Sequence, residues 1–252
     1  MLDPIIQLKN IKKNFGSVIA LDGVSFDVTP GECHCLLGDN GAGKSTFIKI
    51  MSGVYRPTSG EMLFQGEDVK FTKPYDALTN GIATVYQDLG MIPLMSVTRN
   101  FFMGNEPTKG GLLKIFDHEL ANKITIDEMS KFQINLRSPD QAVGTLSGGE
   151  RQTVAIARAV YFGAKVLILD EPTSALGVKQ TANVLDTVDK MRKKGIAVVF
   201  ITHNVRHAYS VGDRFTVLDR GKTLATANHK DVSPDDLQNM MAGGKVLPSL
   251  NE

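Results

Sequence analysis

Gly38–Thr46 reads G-D-N-G-A-G-K-S-T and fits G-x-x-x-x-G-K-[ST], the pattern of a phosphate-binding loop. An apolar run, Cys33–Leu37, precedes it, and a helix-like run, Thr46–Ser52, follows it. That strand–loop–helix setting is the context the motif requires. Gly38, Gly41 and Gly43 can take backbone angles closed to other residues, so the N–H groups along Gly38, Asp39, Asn40, Gly41, Ala42 and Gly43 can turn inward around an anion. The start of the next helix adds its dipole and free N–H groups, which also favour phosphate. Lys44 is expected to reach the β- and γ-phosphates of a nucleotide. The Ser45 hydroxyl is suited to Mg²⁺, and Thr46 completes the loop. With glycine at about 7% of residues, a chain of this length matches the pattern by accident on the order of once in a hundred, and the flanking runs lower that further. Nucleotide binding on an α/β fold is the expectation.

Further stretches fit the same chemistry. Leu146–Gln152 reads L-S-G-G-E-R-Q and opens a helical run, Glu150–Phe162. Ser147, Gly148 and Gly149 offer a second helix start with free N–H groups, no bulky side chains and a hydroxyl. The plainer reading is an N-cap serine with two glycines. Val166–Leu169 is continuously apolar, as in a parallel strand buried on both faces, and it ends in Asp170-Glu171. An acidic pair at the carboxyl end of such a strand sits beside the phosphate loop. Asp170 suits Mg²⁺ held through water, and Glu171 suits orienting or deprotonating an attacking water. Ile82–Tyr86 and Ile196–Ile201 read as two more buried strands, followed by Gln87 and by Thr202-His203. Residues at that edge of an open α/β sheet face the ligand crevice. Alone, each is a polar residue at a strand end. His203 shares its edge with Asp170 and Glu171, which favours a γ-phosphate contact.

Elsewhere the patterns are plainer. Ile5–Ile11 and Val24–Val28 alternate apolar and polar residues, as half-buried strands do. Phe15 lies between them and either stacks on a base or packs at a strand end; the residues alone leave both open. Glu61–Gln65 and Asp68–Val69 read as short strands, and Pro74–Asn80 as a short helix. Asp88–Asn105 gathers Met91, Ile92, Leu94, Met95, Val97, Phe101, Phe102 and Met103. Most are expected to form the small core of a helical subdomain, with some left exposed as an adaptable docking patch. Thr108–Gly111 reads as a loop. Asp117–Phe132 reads as an amphipathic helix with Leu120, Ile124, Ile126 and Met129 near one face. Val178–Lys194 reads as a helix, and Arg214–Asp219 with Thr223–Ala227 as a closing hairpin. Pro234–Met241 is a last short helix and Ala242–Glu252 a loose tail.

The 252 residues are 42% hydrophobic and 22% charged, with a net charge of +1. That length suits one large domain with an ample core. The charge gives no electrostatic reason for capture of nucleic acid or acidic lipid. Cys33 and Cys35 alternate along one strand, so a buried structural pair is favoured over a zinc site. Low cysteine use suits a reducing compartment. No apolar run reaches the roughly 20 residues that span a bilayer. Met1–Asn10 lacks the basic start and long apolar run of a signal peptide. A membrane role is therefore expected to run through a partner.

In this order the phosphate loop, Gln87, L-S-G-G-E, the strand ending in Asp170-Glu171, and His203 resemble the ATP-binding cassette (ABC) ATPases, from about Ile5 to Val232. The resemblance implies an α/β P-loop NTPase with a RecA-like core, an N-terminal antiparallel β subdomain and an inserted helical subdomain. It implies a nucleotide-binding core over 1–88 and 146–232, a helical subdomain over 89–145, and a C-terminal helix and tail over 233–252. The implied cofactors are ATP and Mg²⁺. Gly38–Thr46 corresponds to the Walker A motif and Val166–Asp170 to Walker B. Glu171 corresponds to the catalytic carboxylate, Gln87 to the Q-loop glutamine that also meets Mg²⁺, and His203 to the switch histidine. Phe15 corresponds to the aromatic that stacks on adenine.

A finer resemblance concerns Ser96–Pro107, S-V-T-R-N-F-F-M-G-N-E-P. With the phosphate loop, it is similar to the ATPases of bacterial monosaccharide importers of the ribose, xylose and fructose type. The implied partners are a second ATPase subunit (a homodimer, or a related cassette), transmembrane permease subunits and a sugar-binding protein, with no nucleic acid. The implied place is the cytoplasmic face of the cell membrane, reached through the permease. A soluble ABC ATPase acting on ribosomes or DNA is the alternative; tandem cassettes with a charged linker, or a long coiled-coil insertion, would mark it. Two departures stand out. Many ATPases of the importer group carry two cassettes, where this chain has one. Gly177, in S-A-L-G, stands where the family usually has an Asp that contacts the opposite subunit.

Overall fold

Strands β1 (Ile6–Phe15), β2 (Val18–Val28), β4 (Ser59–Phe64) and β5 (Glu67–Asp68) form an antiparallel sheet in the order β2-β1-β4-β5. A second sheet holds β3 (Cys33–Leu37), β6 (Ile82–Val85), β9 (Val166–Asp170), β10 (Ala197–Thr202), β11 (Arg214–Asp219) and β12 (Lys222–Asn228), in the order β12-β11-β3-β10-β9-β6. β6, β9, β10, β3 and β11 run parallel to their neighbours, and only β12 is antiparallel. The carboxyl ends of β6, β9, β10 and β3 therefore share one edge. This computed structural model describes residues 3–243; from residue 244 the expected tail lies outside them.

The period of two sorts this sheet into two cores. Leu167, Leu169, Val198, Phe200, Cys33, Cys35 and Leu37 face one side. They pack on Val154 and Ile156 of α5 (Gly148–Tyr161), Val184 and Val188 of α6 (Val178–Lys193), and Val205 and Ala208 of α7 (Val205–Val211). Val166, Ile168, Val199, Ile201 and Leu36 face the other side, against Phe47 and Ile48 of α1 (Lys44–Met51) and Ile6, Leu8 and Phe26 of the antiparallel sheet. Both faces are covered, so the strands read as unbroken apolar runs. Each fully buried side chain of this size contributes about 1.5–3 kcal/mol. Cys33 and Cys35 are free and buried on one face, as their spacing predicts. α2 (Pro74–Thr79) precedes β6, and α8 (Pro234–Met241) packs Leu237 and Met240 into the first core.

Between β6 and α5 lie α3 (Val97–Phe102), a two-stranded pair of β7 (Thr108–Lys109) and β8 (Ile115–Phe116), and α4 (His118–Lys131). The methionine-rich stretch divides between buried and exposed residues. Val97, Phe101 and Phe102 are buried, whereas Ile92 and Leu94 are 45% and 93% exposed. Asn100 pins the exposed segment: its amide accepts from Ile92 N–H and donates to the carbonyls of Met95 and Ser96.

Three expectations change. α4 buries Ala121, Thr125 and Met129, while Leu120 and Ile126 are exposed. The small residues Ala121 and Thr125 share the buried stripe with the expected Met129, and the expected Ile124 packs against the same core, while Leu120 and Ile126 fall on the flanks. Thr108–Gly111 is not all loop, because Thr108 and Lys109 pair with Phe116 and Ile115. β1 and β2 also run further than their alternation indicates, meeting at Gly16-Ser17, because register shifts between them interrupt the period of two. No helix among the described residues is long and apolar enough to cross a membrane.

Candidate functional site

The loop after β3 turns sharply into α1. Gly43, the N-cap, has φ 106°, a left-handed angle that favours glycine. At Gly38 a Cβ would lie 2.6 Å from the Leu218 carbonyl oxygen, so the β11 end presses directly on the loop. The turn after β11 is stitched to it as well: Gly221 N–H donates to the Ala42 carbonyl at 2.9 Å. The Lys44 ammonium donates to the carbonyls of Gly38 at 2.7 Å and Asp39 at 3.1 Å, which holds its charge inside the loop. Burial pushes Lys44 below the ordinary lysine value, while Glu171, Asp170 and Asp39 pull the other way. A cavity of about 410 Å³ lies over the loop, lined by Asp39, Asn40, Gly41, Ala42, Gly43, Lys44, Ser45 and Thr46. Val18, Ile19, Ala20 and Arg220 complete it.

Asp170 ends β9, and Glu171 follows at φ 48°. A non-glycine residue held there costs on the order of 1–3 kcal/mol. Its backbone is tied to the next strand by Glu171 N–H donating to Ile201 O at 2.9 Å. Its carboxylate is held at both oxygens. Oε2 accepts from the Thr202 hydroxyl at 3.0 Å; Oε1 accepts from His203 N–H at 3.0 Å and from His203 Nδ1 at 2.8 Å. Gln87, just past β6, donates from Nε2 to Ser174 Oγ at 3.2 Å, in the loop that follows Glu171. The shared edge thus brings Lys44, Gln87, Asp170, Glu171 and His203 into one neighbourhood.

Burial first, and then the neighbouring Glu171, push the Asp170 carboxyl above its ordinary value; Lys44 and Lys49 offset this in part. A folded pKa above the unfolded one means that ionised Asp170 costs stability. The cost is present above the folded pKa and vanishes as pH falls through it toward the unfolded value. Asp170→Asn is therefore expected to raise the melting temperature of the nucleotide-free chain near neutral pH, by a margin that shrinks on acidification. Calorimetry at the two pH values checks this, and a lower melting temperature at neutral pH would refute the repulsion. The donors expected for Mg²⁺ are the Ser45 hydroxyl, the Gln87 amide oxygen and the Asp170 carboxylate. These hard oxygens, with a single charge among them, suit an ion that keeps waters and binds substrate phosphates. Among the described residues no cluster of three His, Cys, Asp or Glu forms a metal site.

Ser147–Gly149 is elsewhere. Ser147 caps α5, its hydroxyl accepting from Glu150 N–H at 3.3 Å while the Glu150 carboxylate accepts from Ser147 N–H at 2.7 Å. The N-cap reading therefore accounts for that hydroxyl. The glycines have a packing reason: a Cβ at Gly148 would lie 2.8 Å from Leu176 Cδ2, and one at Gly149 would lie 2.9 Å from Gln180 Cβ. Ser147 and Gly149 line a separate cavity with Gln133 and Gln180, and neither lines the phosphate-loop cavity. Phe15 ends β1 opposite Val18, which does line that cavity, and is 42% exposed. Tyr55 meets its ring edge-on at 5.3 Å, and Lys13 Nζ sits 5.0 Å from its centre. At Gly177, which caps α6, a Cβ would meet nothing within 4 Å, so the fold itself does not require glycine there.

Sequence reasoning missed Val18, Ile19 and Arg220 as cavity walls, and Thr202 and Ser174 as partners of Glu171 and Gln87. The only available signal was position, since Thr202 closes an apolar strand and Ser174 follows the acidic pair.

Comparison with known proteins shows the family and the fold. A family model described as ABC transporter matches residues 21–174. The chain is 43% identical to the xylose/arabinose import ATP-binding protein XylG of Sulfolobus acidocaldarius, over 97% of this chain and 98% of the relative. It is 40% identical to the fructose import ATP-binding protein FrcA of Rhizobium meliloti, over 98% and 96%. A ribose import ATP-binding protein of Escherichia coli O157:H7 is 37% identical over 99% of this chain, which spans 48% of that relative. Among solved structures, the ADP conformation of MJ1267, an ATP-binding cassette of an ABC transporter, matches with TM-score 0.79 at 25% identity, covering 98% of this chain and 97% of that one. The dimeric structure of MJ0796, a bacterial ABC transporter cassette, matches with TM-score 0.74 at 25% identity, over 90% and 100%.

Proposed function

This chain belongs to the ABC transporter family of ATP-binding proteins, and from that premise we propose that it is the ATP-hydrolysing, energy-coupling subunit of an importer for a monosaccharide. One observation carries the mechanism. The phosphate loop and the acidic pair share a sheet edge, while the L-S-G-G helix start lies on a different cavity of the same chain. Two such half-sites are completed when a second copy packs head to tail. The N–H groups of Gly38–Gly43 and the Lys44 ammonium of one copy hold the phosphates, and the Ser147–Gly149 helix start of the other covers the γ-phosphate. Phe15 stacks on adenine. Ser45, Gln87 and Asp170 would hold Mg²⁺, which would offset the negative charge of the ATP phosphates. Glu171 orients a water and takes its proton as the water oxygen bonds to the γ-phosphorus and the bond to the β-phosphate oxygen breaks. His203, which touches Glu171, faces the γ-phosphate.

ATP binds the closed pair better than the open one, so binding closes it and hydrolysis releases it. The exposed Ile92 and Leu94, pinned by Asn100, receive a cytoplasmic helix of the permease, which holds the chain at the membrane face. A sugar-binding protein delivers the substrate. The names of XylG and FrcA support the sugar class.

The test is affinity purification of the tagged chain from detergent-solubilised membranes of its own host, with partners identified by mass spectrometry. A multi-span permease near one-to-one, with a sugar-binding protein, is the expected result. A catch dominated by ribosomal or DNA-repair proteins would keep the ATPase and overturn the transport role.

A further inference from the structure

Glu171 and Ala175 both hold left-handed backbone angles, at φ 48° and 59°, within one short loop. Strain of this kind persists only where the surroundings over-determine it. A ring of side chains supplies that here. Thr202 Oγ1, which donates to Glu171 Oε2, also accepts from Asn204 N–H at 3.0 Å. The Asn204 carboxamide oxygen accepts from His207 N–H at 3.1 Å, and its Nδ2 lies 3.4 Å from His207 Nε2. His207 Nδ1 lies 2.9 Å from the hydroxyl of Thr173, two residues beyond Glu171. Thr202 and Thr173 are buried. The ring thus closes from the loop after β9, through the loop after β10 and the first turn of α7, and back again.

From this ring we infer that His207 is a positioning residue for ATP hydrolysis: through Thr173 it holds the 171–175 loop so that Glu171 presents its carboxylate in one orientation. The inference rests on Glu171 being the base of the proposed reaction. His207 itself lines no part of the phosphate-loop cavity and makes no hydrogen bond to the Glu171 carboxylate, so it acts through Thr173 and Asn204. With Nε2 accepting from the Asn204 amide, the ring hydrogen is on Nδ1 and donates to Thr173. Burial pushes His207 below the ordinary imidazole value, which favours this neutral form.

The test compares His207→Ala, Thr173→Val, the double variant and His207→Asn in the full chain, by steady-state Mg-ATPase and by ADP affinity. Each single change is expected to lower kcat by roughly 10- to 100-fold, the upper figure being that of a misplacement of about 1 Å. KM for ATP and the ADP Kd should stay within about twofold, and the double variant should be no slower than the slower single. His207→Asn keeps a donor near the Nδ1 position and should restore most of kcat. A loss of kcat and nucleotide affinity together, additive singles, or His207→Asn as slow as His207→Ala would each overturn the inference. If His207→Ala does not fold, Thr173→Val and His207→Asn decide the matter. Glu171→Gln is run alongside. If it leaves turnover intact, the base assignment fails; if it stops turnover while the ring variants do not, only the ring inference fails.

Discussion

Glu171→Gln is expected to slow Mg-ATP turnover by about 10²–10⁴-fold, the range for loss of a positioned general base. In barrier terms that is about 3–5 kcal/mol. The change is nearly isosteric. A glutamine oxygen can still accept from the Thr202 hydroxyl or the His203 N–H, which now hold the carboxylate at 3.0 Å each. The backbone bond from residue 171 to Ile201 is untouched. What disappears is the ability to take a proton from water. Nucleotide affinity should therefore be retained, and with release blocked the ATP-bound pair should accumulate. Light scattering in saturating Mg-ATP is expected to report a dimer, and the same protein in ADP a monomer. Turnover within about twofold of the unaltered chain would remove Glu171 from the role. A monomer in saturating Mg-ATP would overturn the head-to-tail pair.

Lys44→Met is expected to weaken ATP binding by roughly 10²-fold. The methionine keeps most of the apolar stem and removes the ammonium, which now donates to Gly38 and Asp39 within the loop. A hydrogen bond to a charged group is worth about 1.5–3 kcal/mol. Two such bonds to phosphate oxygens at the lower figure come to about 3 kcal/mol, or roughly 10²-fold in Kd. Titration calorimetry with ATP checks this, and a Kd within about threefold would refute it. Stability should move the other way. Burial already pushes Lys44 below the ordinary lysine value, so its folded-state charge carries a penalty that methionine lacks. The melting temperature of the nucleotide-free chain should hold or rise, which separates a binding defect from a folding one.

The chemistry of the site was legible wherever it lay in contiguous residues. Gly38–Thr46 declares itself because a phosphate loop needs glycine, lysine and a hydroxyl at fixed spacing between a strand and a helix. Val166–Glu171 and Ile196–His203 do so because strands covered on both faces must be apolar throughout, so the first charged residue marks the crevice edge. The α4 face was misjudged for the opposite reason. Leu120 and Ile126 look like core on hydropathy alone, but the narrow space beside α4 takes Ala121 and Thr125. The true ends of β1 and β2 were hidden by register shifts, which erase the alternation that marks a strand.

Residues distant in the chain met only through the sheet order. Nothing near Thr173 in the sequence points to His207, and nothing near Gln87 points to Ser174. Those pairs exist because β10 lies beside β9 and β9 beside β6. Likewise, the separation of Ser147–Gly149 from Lys44, on which the need for a second copy rests, follows from how the start of α5 docks on Leu176 through Gly148 and on α6 through Gly149. Local spacing records what one segment can do to a ligand, because backbone angles and strand burial are set by near neighbours. Which segments share a ligand is set by long-range packing, where shape and volume across the sheet decide and no local pattern carries the information.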